Sequence, residues 1–299
     1  MKILITGATG YIGRHLLPAL QSDNNTHDIL IISRNVIQAK QLFPNVNHCS
    51  TEEFETVKQF NPEVVLHLAT LSTSSDADEI IEPIIQSNIT FGVKLLSALK
   101  SCNALKLFVN IGSFAEYRLG PDKQKDAYLY TATKSAFRHF LDYYADLGNY
   151  KHLTLVLYTV YGGQDLRKKI IDYVFDALNA PMPIKMTAGE QCLDFVHVND
   201  VVDAMVQCVR QSNELCQQLT QGTEIHVGTG VGTTIKAMAN LVAQHTRQTL
   251  NIDWGALPYR PLDVMKAIAP LNHNPKCFDW KARITLNQGI QEKTNHICK

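Results

Sequence analysis

Tyr130 and Lys134 stand four residues apart in Tyr130-Thr131-Ala132-Thr133-Lys134, a phenol and an ammonium one turn apart on a single helix face. A cation so placed favours phenolate. The spacing therefore predicts a tyrosine pKa drawn down from about 10 toward neutrality, where a phenol can both give and take a proton. Such a pair arises by chance in many helices. A second hydroxyl, Ser113, follows the apolar run 105–111 in Gly112-Ser113. That puts it at the carboxyl end of an expected strand, where α/β sheets bind ligands. Strand, serine, tyrosine and lysine in that order are far more specific than either part alone.

The first apolar run leads into Thr6-Gly7-Ala8-Thr9-Gly10-Tyr11-Ile12-Gly13. Gly7 permits a tight turn, Gly10 lets backbone approach a pyrophosphate, and Gly13 lets the next helix sit close to the strand. The helix start at Tyr11 and Ile12 then faces the anion. A glycine triplet alone is weak, but between a strand and a helix it is the setting of a dinucleotide site. The second run ends in Ile32-Ser33-Arg34-Asn35. A site selective for NAD holds the ribose 2′-hydroxyl there with Asp or Glu. With no carboxylate to repel a 2′-phosphate, the Ser33 hydroxyl and the planar cation of Arg34 favour NADP(H) over NAD.

The G-x-x-G-x-x-G spacing, joined to the serine, tyrosine and lysine, resembles the extended short-chain dehydrogenase/reductase family over nearly the whole chain. The resemblance implies that Ser113, Tyr130 and Lys134 are catalytic. Tyr130 would protonate a carbonyl oxygen, Ser113 would hydrogen-bond it, and Lys134 would lower the tyrosine pKa and grip the nicotinamide ribose. It further implies that Leu68, Ala69 and Thr70 line the cofactor, that His67 is a buried structural residue, and that Asn88, at the helix position that braces the sheet, is among the cofactor-binding residues. Residues 158–162 are similar to the segment leading into the family's substrate domain. Residues 194–200 match another recurrent stretch, with Leu193 where the family usually has Arg.

Dehydratases of this family carry Asp-Glu directly after the catalytic hydroxyl; here Phe114 and Ala115 stand there, and Glu116 comes one step late. Net reduction suits NADP(H), whereas C4 epimerases keep NAD bound. The stretches 111–117, 130–137, 165–171 and 189–191 resemble one subgroup, the reductases of nucleotide-linked 4-keto-deoxyhexoses such as the CDP-abequose and CDP-paratose synthases. That implies reduction of a CDP- or dTDP-linked 4-keto-6-deoxyhexose for deoxysugar and lipopolysaccharide assembly, with Phe114 beside the sugar. Arg167 and Lys168, with Lys169, form one candidate cluster for the diphosphate, although a short charge run also reads as a solvated helix start. Arg260, in a proline-framed loop, matches a family position near the diphosphate, where a guanidinium fork suits phosphate. Two alternatives remain: an epimerase or dehydrogenase of a nucleotide sugar, and a non-catalytic module that senses NADP(H).

These residues need an α/β scaffold. Expected strands at 2–6, 28–33, 64–68, 105–111 and 153–157 alternate with expected helices at 11–21, 83–100 and 131–145, the pattern of βαβ units. Pro18 suggests a kink or an early stop in the first helix. Later come helices near 168–179, 200–210 and 235–245 and strands near 194–198 and 224–227, while the chain from Asn251 onward shows little periodicity. The expectation is a Rossmann-type doubly wound parallel sheet over residues 1–165, with room for a return segment at 196–228. Residues 166–299 would form mainly a smaller substrate-binding domain.

In 299 residues, 28 Lys and Arg balance 28 Asp and Glu. That argues against bulk-charge binding to nucleic acid or an anionic membrane. The mean hydropathy is −0.10, and no apolar run nears the roughly 18 residues of a membrane span. Seven cysteines lie without a C-x-x-C pair and the histidines without H-E-x-x-H. The expectation is a reduced, metal-free, cytoplasmic protein with no signal peptide. The family resemblance also allows a homodimer.

Overall fold

The computed structural model describes residues 1–23, 26–163, 165 and 167–297; Leu166, within one matched stretch, and Cys298 lie outside them. β1 (Lys2–Thr6) turns into α1 (Tyr11–Gln21) and is followed by β2 (Asp28–Ser33), α2 (Val36–Leu42), β3 (Asn47–Ser50) and α3 (Phe54–Phe60). After β4 (Val64–His67), α4 (Asp78–Ile85) passes through a π-helical turn at Gln86–Thr90 into α5 (Phe91–Leu99). Next come β5 (Leu107–Ser113), a 3₁₀ turn at Phe114–Glu116, α6 (Leu129–Gly148) and β6 (Lys151–Leu157). The later chain forms β7 (Thr159–Tyr161), α7 (Ile170–Asp176), β8 (Ile184–Met186), β9 (Cys192–His197), α8 (Val198–Arg210) and α9 (Ser212–Gln218). It ends with β10 (Thr223–Val227), β11 (Gly232–Thr234), α10 (Ile235–Thr246), β12 (Ile252–Trp254), β13 (Lys266–Ala267) and α11 (Leu286–Ile297).

Seven strands pair in parallel in the order β10-β6-β5-β4-β1-β2-β3, so the strand order reverses beside β1. Alternate residues of these strands feed two cores. Ile3, Ile5, Ile29, Ile31, Val64 and Leu66 pack with Leu16, Leu17 and Leu20 of α1 and with Val201 and Met205 of α8. Leu4, Leu30, Ile32 and Val65 pack on the other face with Leu95, Leu96 and Leu99 of α5 and Phe137 and Leu141 of α6. Each fully buried aliphatic side chain contributes roughly 1.5–3 kcal/mol. This is the doubly wound Rossmann-type sheet. A separate cluster beneath α7, α10 and α11 joins Tyr161, Val174, Phe195, Met238 and Ile290, beside smaller sheets around β9 and at β8–β12.

Some local expectations change. α1 runs through Pro18 to Gln21, with Leu16, Leu17 and Leu20 buried, so packing on α8 outweighs the lost backbone donor. The α4–α5 helix starts earlier than the periodicity suggested, at Asp78, and contains Pro83. β5 begins two residues late and runs on to include Ser113. α11 lies in the tail that showed no periodicity. No helix among the described residues is long and apolar enough to cross a membrane.

Candidate active site

Where the strand order reverses, the connections leaving neighbouring strands turn to opposite faces and open a crevice outside their carboxyl ends. Gly7 takes a left-handed φ of +72°, and a Cβ at this position would stand 2.7 Å from the backbone of Leu68 and Ala69. A Cβ on Gly13 would stand 2.5 Å from Ala8 Cα, so α1 closes on the turn as only glycine permits. Thr6 Oγ1 pairs with His67 Nδ1 at 2.9 Å and accepts the Ala69 N–H at 3.0 Å, tying the turn to the chain after β4. His67 lies among Phe91, Phe108 and Phe137, and burial lowers its pKa to about 3. It is a neutral structural residue.

Gly7, Gly10, Ser33, Arg34, Leu68, Ala69 and Thr70 share a cleft of about 510 Å³. Arg34 is exposed and makes no ion pair among the described residues. Ser33 Oγ accepts the Asn35 N–H at 3.3 Å. One carboxylate that sequence reasoning did not weigh, Glu52, also borders the cleft. The side chain of Tyr11 points elsewhere: its hydroxyl donates to Gly162 O at 2.5 Å, and Lys169 Nζ lies 4.0 Å from its ring centroid. Only its backbone faces the turn, while the Ile12 side chain packs on the core. Asn88 is buried and committed to protein groups. Its Oδ1 accepts the Leu71 N–H at 2.7 Å, and its Nδ2 donates to Leu71 O at 3.2 Å and to Thr133 Oγ1 at 3.0 Å. It braces the loop after β4 against α6.

A glycine cradle, an unpaired cation on the rim and a buried Thr70 Oγ1 without an aligned partner suit a dinucleotide. A nicotinamide dinucleotide would be held by the Gly7–Gly13 turn, by Ser33 and Arg34, and by the chain 68–70.

Ser113 ends β5 and caps the 3₁₀ turn: its Oγ accepts the Ala115 N–H at 3.3 Å, and its N–H donates to Glu116 Oε1 at 2.6 Å. Asp76 Oδ1 accepts the Leu129 N–H at 3.1 Å, an acidic cap on α6 one residue before Tyr130. Tyr130 is half-buried, with the hydroxyls of Ser72 and Thr70 close to its phenol. Burial pushes its pKa up, and the carboxylate of Glu116 adds to the rise. The expected fall toward neutrality is therefore corrected, because desolvation of phenolate outweighs any help from Lys134. Lys134 is 4% exposed, and its Nζ makes no hydrogen bond or ion pair among the described residues. Burial lowers its pKa to about 8, with Glu116 opposing the fall and Arg138 adding to it.

Arg167 Nη1 donates to Ser72 O at 2.8 Å, so this cation adjoins the loop beside Tyr130. Arg260 lies 5.9 Å from the ring of Tyr128, whose hydroxyl donates to Asp263 Oδ1 at 3.0 Å, two residues before Tyr130. Phe114 stacks on Tyr158 at 6.0 Å. Lys168 departs from the expected cluster: its exposed Nζ donates to Asp176 Oδ2 at 2.7 Å at the end of α7. A run of three cations cannot point one way, and the nearest carboxylate takes this one. Ser72 and Arg138 were missed, and Glu116 was weighed only as an acid standing one step late for an elimination. Arg138 had a signal, since it continues the four-residue spacing of Tyr130 and Lys134.

The profile of the NAD dependent epimerase/dehydratase family matches residues 3–220. A CDP-abequose synthase of Yersinia pseudotuberculosis is 33% identical over 217 residues, covering 71% of this chain and 75% of that protein. One from Salmonella typhimurium is 30% identical over 300 residues, covering 97% and 96%. Among solved structures, the UDP-glucuronic acid 4-epimerase of Bacillus cereus, in complex with UDP-glucuronic acid and NAD, superposes with a TM-score of 0.86 at 20% identity. That match covers 100% of this chain and 99% of the other.

Proposed function

The chain belongs to the NAD dependent epimerase/dehydratase family, and from that membership we propose that it reduces the 4-keto group of a CDP- or dTDP-linked 4-keto-6-deoxyhexose with NADPH. The coarser reading, an enzyme acting on nucleotide sugars, rests on the family and on likeness to CDP-abequose synthases along nearly the whole chain. The observation that carries net reduction is the rim of the cofactor cleft. The end of β2 offers a hydroxyl and an unpaired guanidinium, as a 2′-phosphate requires, and no carboxylate. Glu116 supports the same side. Fully buried, with its carboxylate turned to Arg138 and the Ser113 N–H, it is no free acid for an elimination.

When bound, a reduced nicotinamide supplies a hydride to a carbonyl carbon. The chain then has to answer the charge that develops on the oxygen. Tyr130, kept protonated by its burial, donates its proton there. Ser113 Oγ donates a hydrogen bond to the same oxygen, and Lys134, an ammonium below about pH 8, steadies negative charge in a site shielded from water. Arg167 and Arg260 are the cations left for the substrate diphosphate. Lys168 is withdrawn from that role.

A homodimer joined through α6, a place in the cytoplasm and a product used in lipopolysaccharide assembly belong to the same proposal. The second reading is a nucleotide-sugar epimerase with resident NAD. The NAD in the Bacillus cereus complex and the Glu52 carboxylate on the cleft favour it. Oxidation of NADPH in the presence of CDP- and dTDP-4-keto-6-deoxyhexoses decides between them. Turnover is expected with NADPH, and Tyr130→Phe should lower kcat by about 10²–10⁴-fold while NADPH still binds. A protein that purifies with NAD and interconverts sugars without consuming coenzyme would overturn the reductase.

A further inference from the structure

Tyr130, Lys134 and Arg138 recur every fourth residue along one face of α6, and the proposed chemistry uses only the first two. The guanidinium of Arg138 lies between two carboxylates. Its Nη2 stands 2.8 Å from Glu116 Oε2, and its Nη1 donates to Glu224 Oε1 of β10, which also accepts from the Tyr117 hydroxyl. Glu116 has no exposed surface. Its Oε1 accepts the Ser113 N–H at 2.6 Å, and its Oε2 faces Arg138 and, at 3.4 Å, Gln124 Nε2. Both oxygens meet donors only. A carboxylic acid O–H here would find no acceptor, so the group is an anion although burial pushes its pKa up.

Among the described residues, the groups facing this anion come from four elements and the loops between them. Arg138 and Lys134 act on it from α6, Tyr130 feels it from the same helix, Tyr117 and Gln124 flank it, and Glu224 lies beyond Arg138. From β4, neutral His67 also faces Lys134. The charges thus alternate from the sheet edge to the active site as Glu224, Arg138, Glu116 and Lys134, and the series sums to zero. A buried ammonium without a hydrogen-bond partner gives up its proton readily unless a fixed anion opposes the loss.

We propose that Glu116 is a positioning residue of this active site, a single carboxylate that pins the Ser113 backbone at the end of β5 and, held by Arg138 one helical turn from Lys134, opposes the loss of the Lys134 proton. The inference rests on the reductase reading, in which Ser113, Tyr130 and Lys134 serve the carbonyl. Arg138 keeps Glu116 ionised, and Glu224 balances the other side of Arg138. The pair of functions explains why an acid is tolerated at a fully buried place directly after the catalytic strand.

The test is the pH dependence of kcat/KM with NADPH for the wild type, Glu116→Gln and Glu116→Asp. In the wild type the alkaline limb should lie at about pH 8, where Lys134 loses its proton. Glu116→Gln is expected to move that limb about one pH unit lower, with kcat falling more than KM rises. Glu116→Asp keeps the charge and should leave the limb in place, with a lower kcat because the shorter arm releases the Ser113 N–H. A folded Glu116→Gln enzyme with an unmoved limb overturns the proposal, and so does a Glu116→Asp enzyme whose limb moves or whose kcat is that of the wild type. If Glu116→Gln fails to fold, the Asp variant decides alone by the same two readings. Tyr130→Phe separates the layers. Turnover that survives it strikes the reductase reading itself, whereas a dead Tyr130→Phe enzyme beside an unmoved Glu116→Gln limb strikes only the role of Glu116.

Discussion

Lys134 and Tyr130 share a helix face, and burial drives both toward their neutral forms: the ammonium downward, the phenol upward. For a reductase that is a workable division. The tyrosine holds its proton until a developing oxyanion draws it off, and the lysine remains charged at neutral pH. The spacing of the two was legible in the sequence, but the sense of the tyrosine shift was not, since it depends on solvent removed by β4, β5 and their loops. Arg34 is the contrasting case, an exposed side chain whose meaning lies in its position at the end of β2. Arg34→Asp should weaken NADPH binding by about 10–100-fold, the worth of a charge-assisted hydrogen bond, and bring NADH toward parity. Fluorescence titration with both coenzymes checks this, and an unchanged ratio would remove Arg34 from the selection of coenzyme.

α6 shows how one element serves two purposes. Phe137, Leu141 and Ala145 bury one stripe in the core while Tyr130, Lys134 and Arg138 line the site. A third stripe, Phe140, Tyr143 and Leu147 at i, i+3 and i+7, is 40%, 61% and 54% exposed. A second copy meeting this stripe about a two-fold axis would pair like with like. Sedimentation should therefore find a dimer in the wild type and a monomer in Phe140→Asp/Leu147→Asp, both positions being exposed enough to change without unfolding the helix; a monomeric wild type refutes it. The periodicity of α6 and the first two strands could be read directly, with β1 and β2 keeping the expected bounds. β3, α2 and α3 could not. They are only four to seven residues long, too short for a period to stand out in the sequence.

For the molecule as a whole, the buried imidazoles set the acid limit. Burial lowers His67 to about 3 and His226 to about 4, and it lowers His152 and His197 as well. In the unfolded chain these groups take up protons below about pH 6.5. Between that value and their folded pKa the unfolded state binds more protons, so stability is intact above about pH 6.5 and falls as the pH drops. At pH 5 the loss is about 2 kcal/mol for each of His67 and His226, which should lower Tm by roughly 5–15 °C relative to pH 7. Calorimetry at the two values checks it, and a flat Tm would mean that these imidazoles are reached by water.

A strand followed by G-x-x-G-x-x-G, a tyrosine four residues before a lysine, and the absence of an acid after β2 are local statements. They depend on backbone torsion, helix pitch and side-chain type, so the chain order alone carried the fold class and named the candidate site residues. Which cations are free is a different matter. Lys168 is taken by Asp176, Glu116 is enclosed by Arg138, and β10 returns from the later chain to lie beside β6. Those outcomes turn on which groups meet once the chain is packed, from 8 residues apart for Lys168 and Asp176 to about 70 for β10 and β6, and on how much water each loses there. Distance and desolvation are properties of the packed molecule, so only the tertiary structure could settle them.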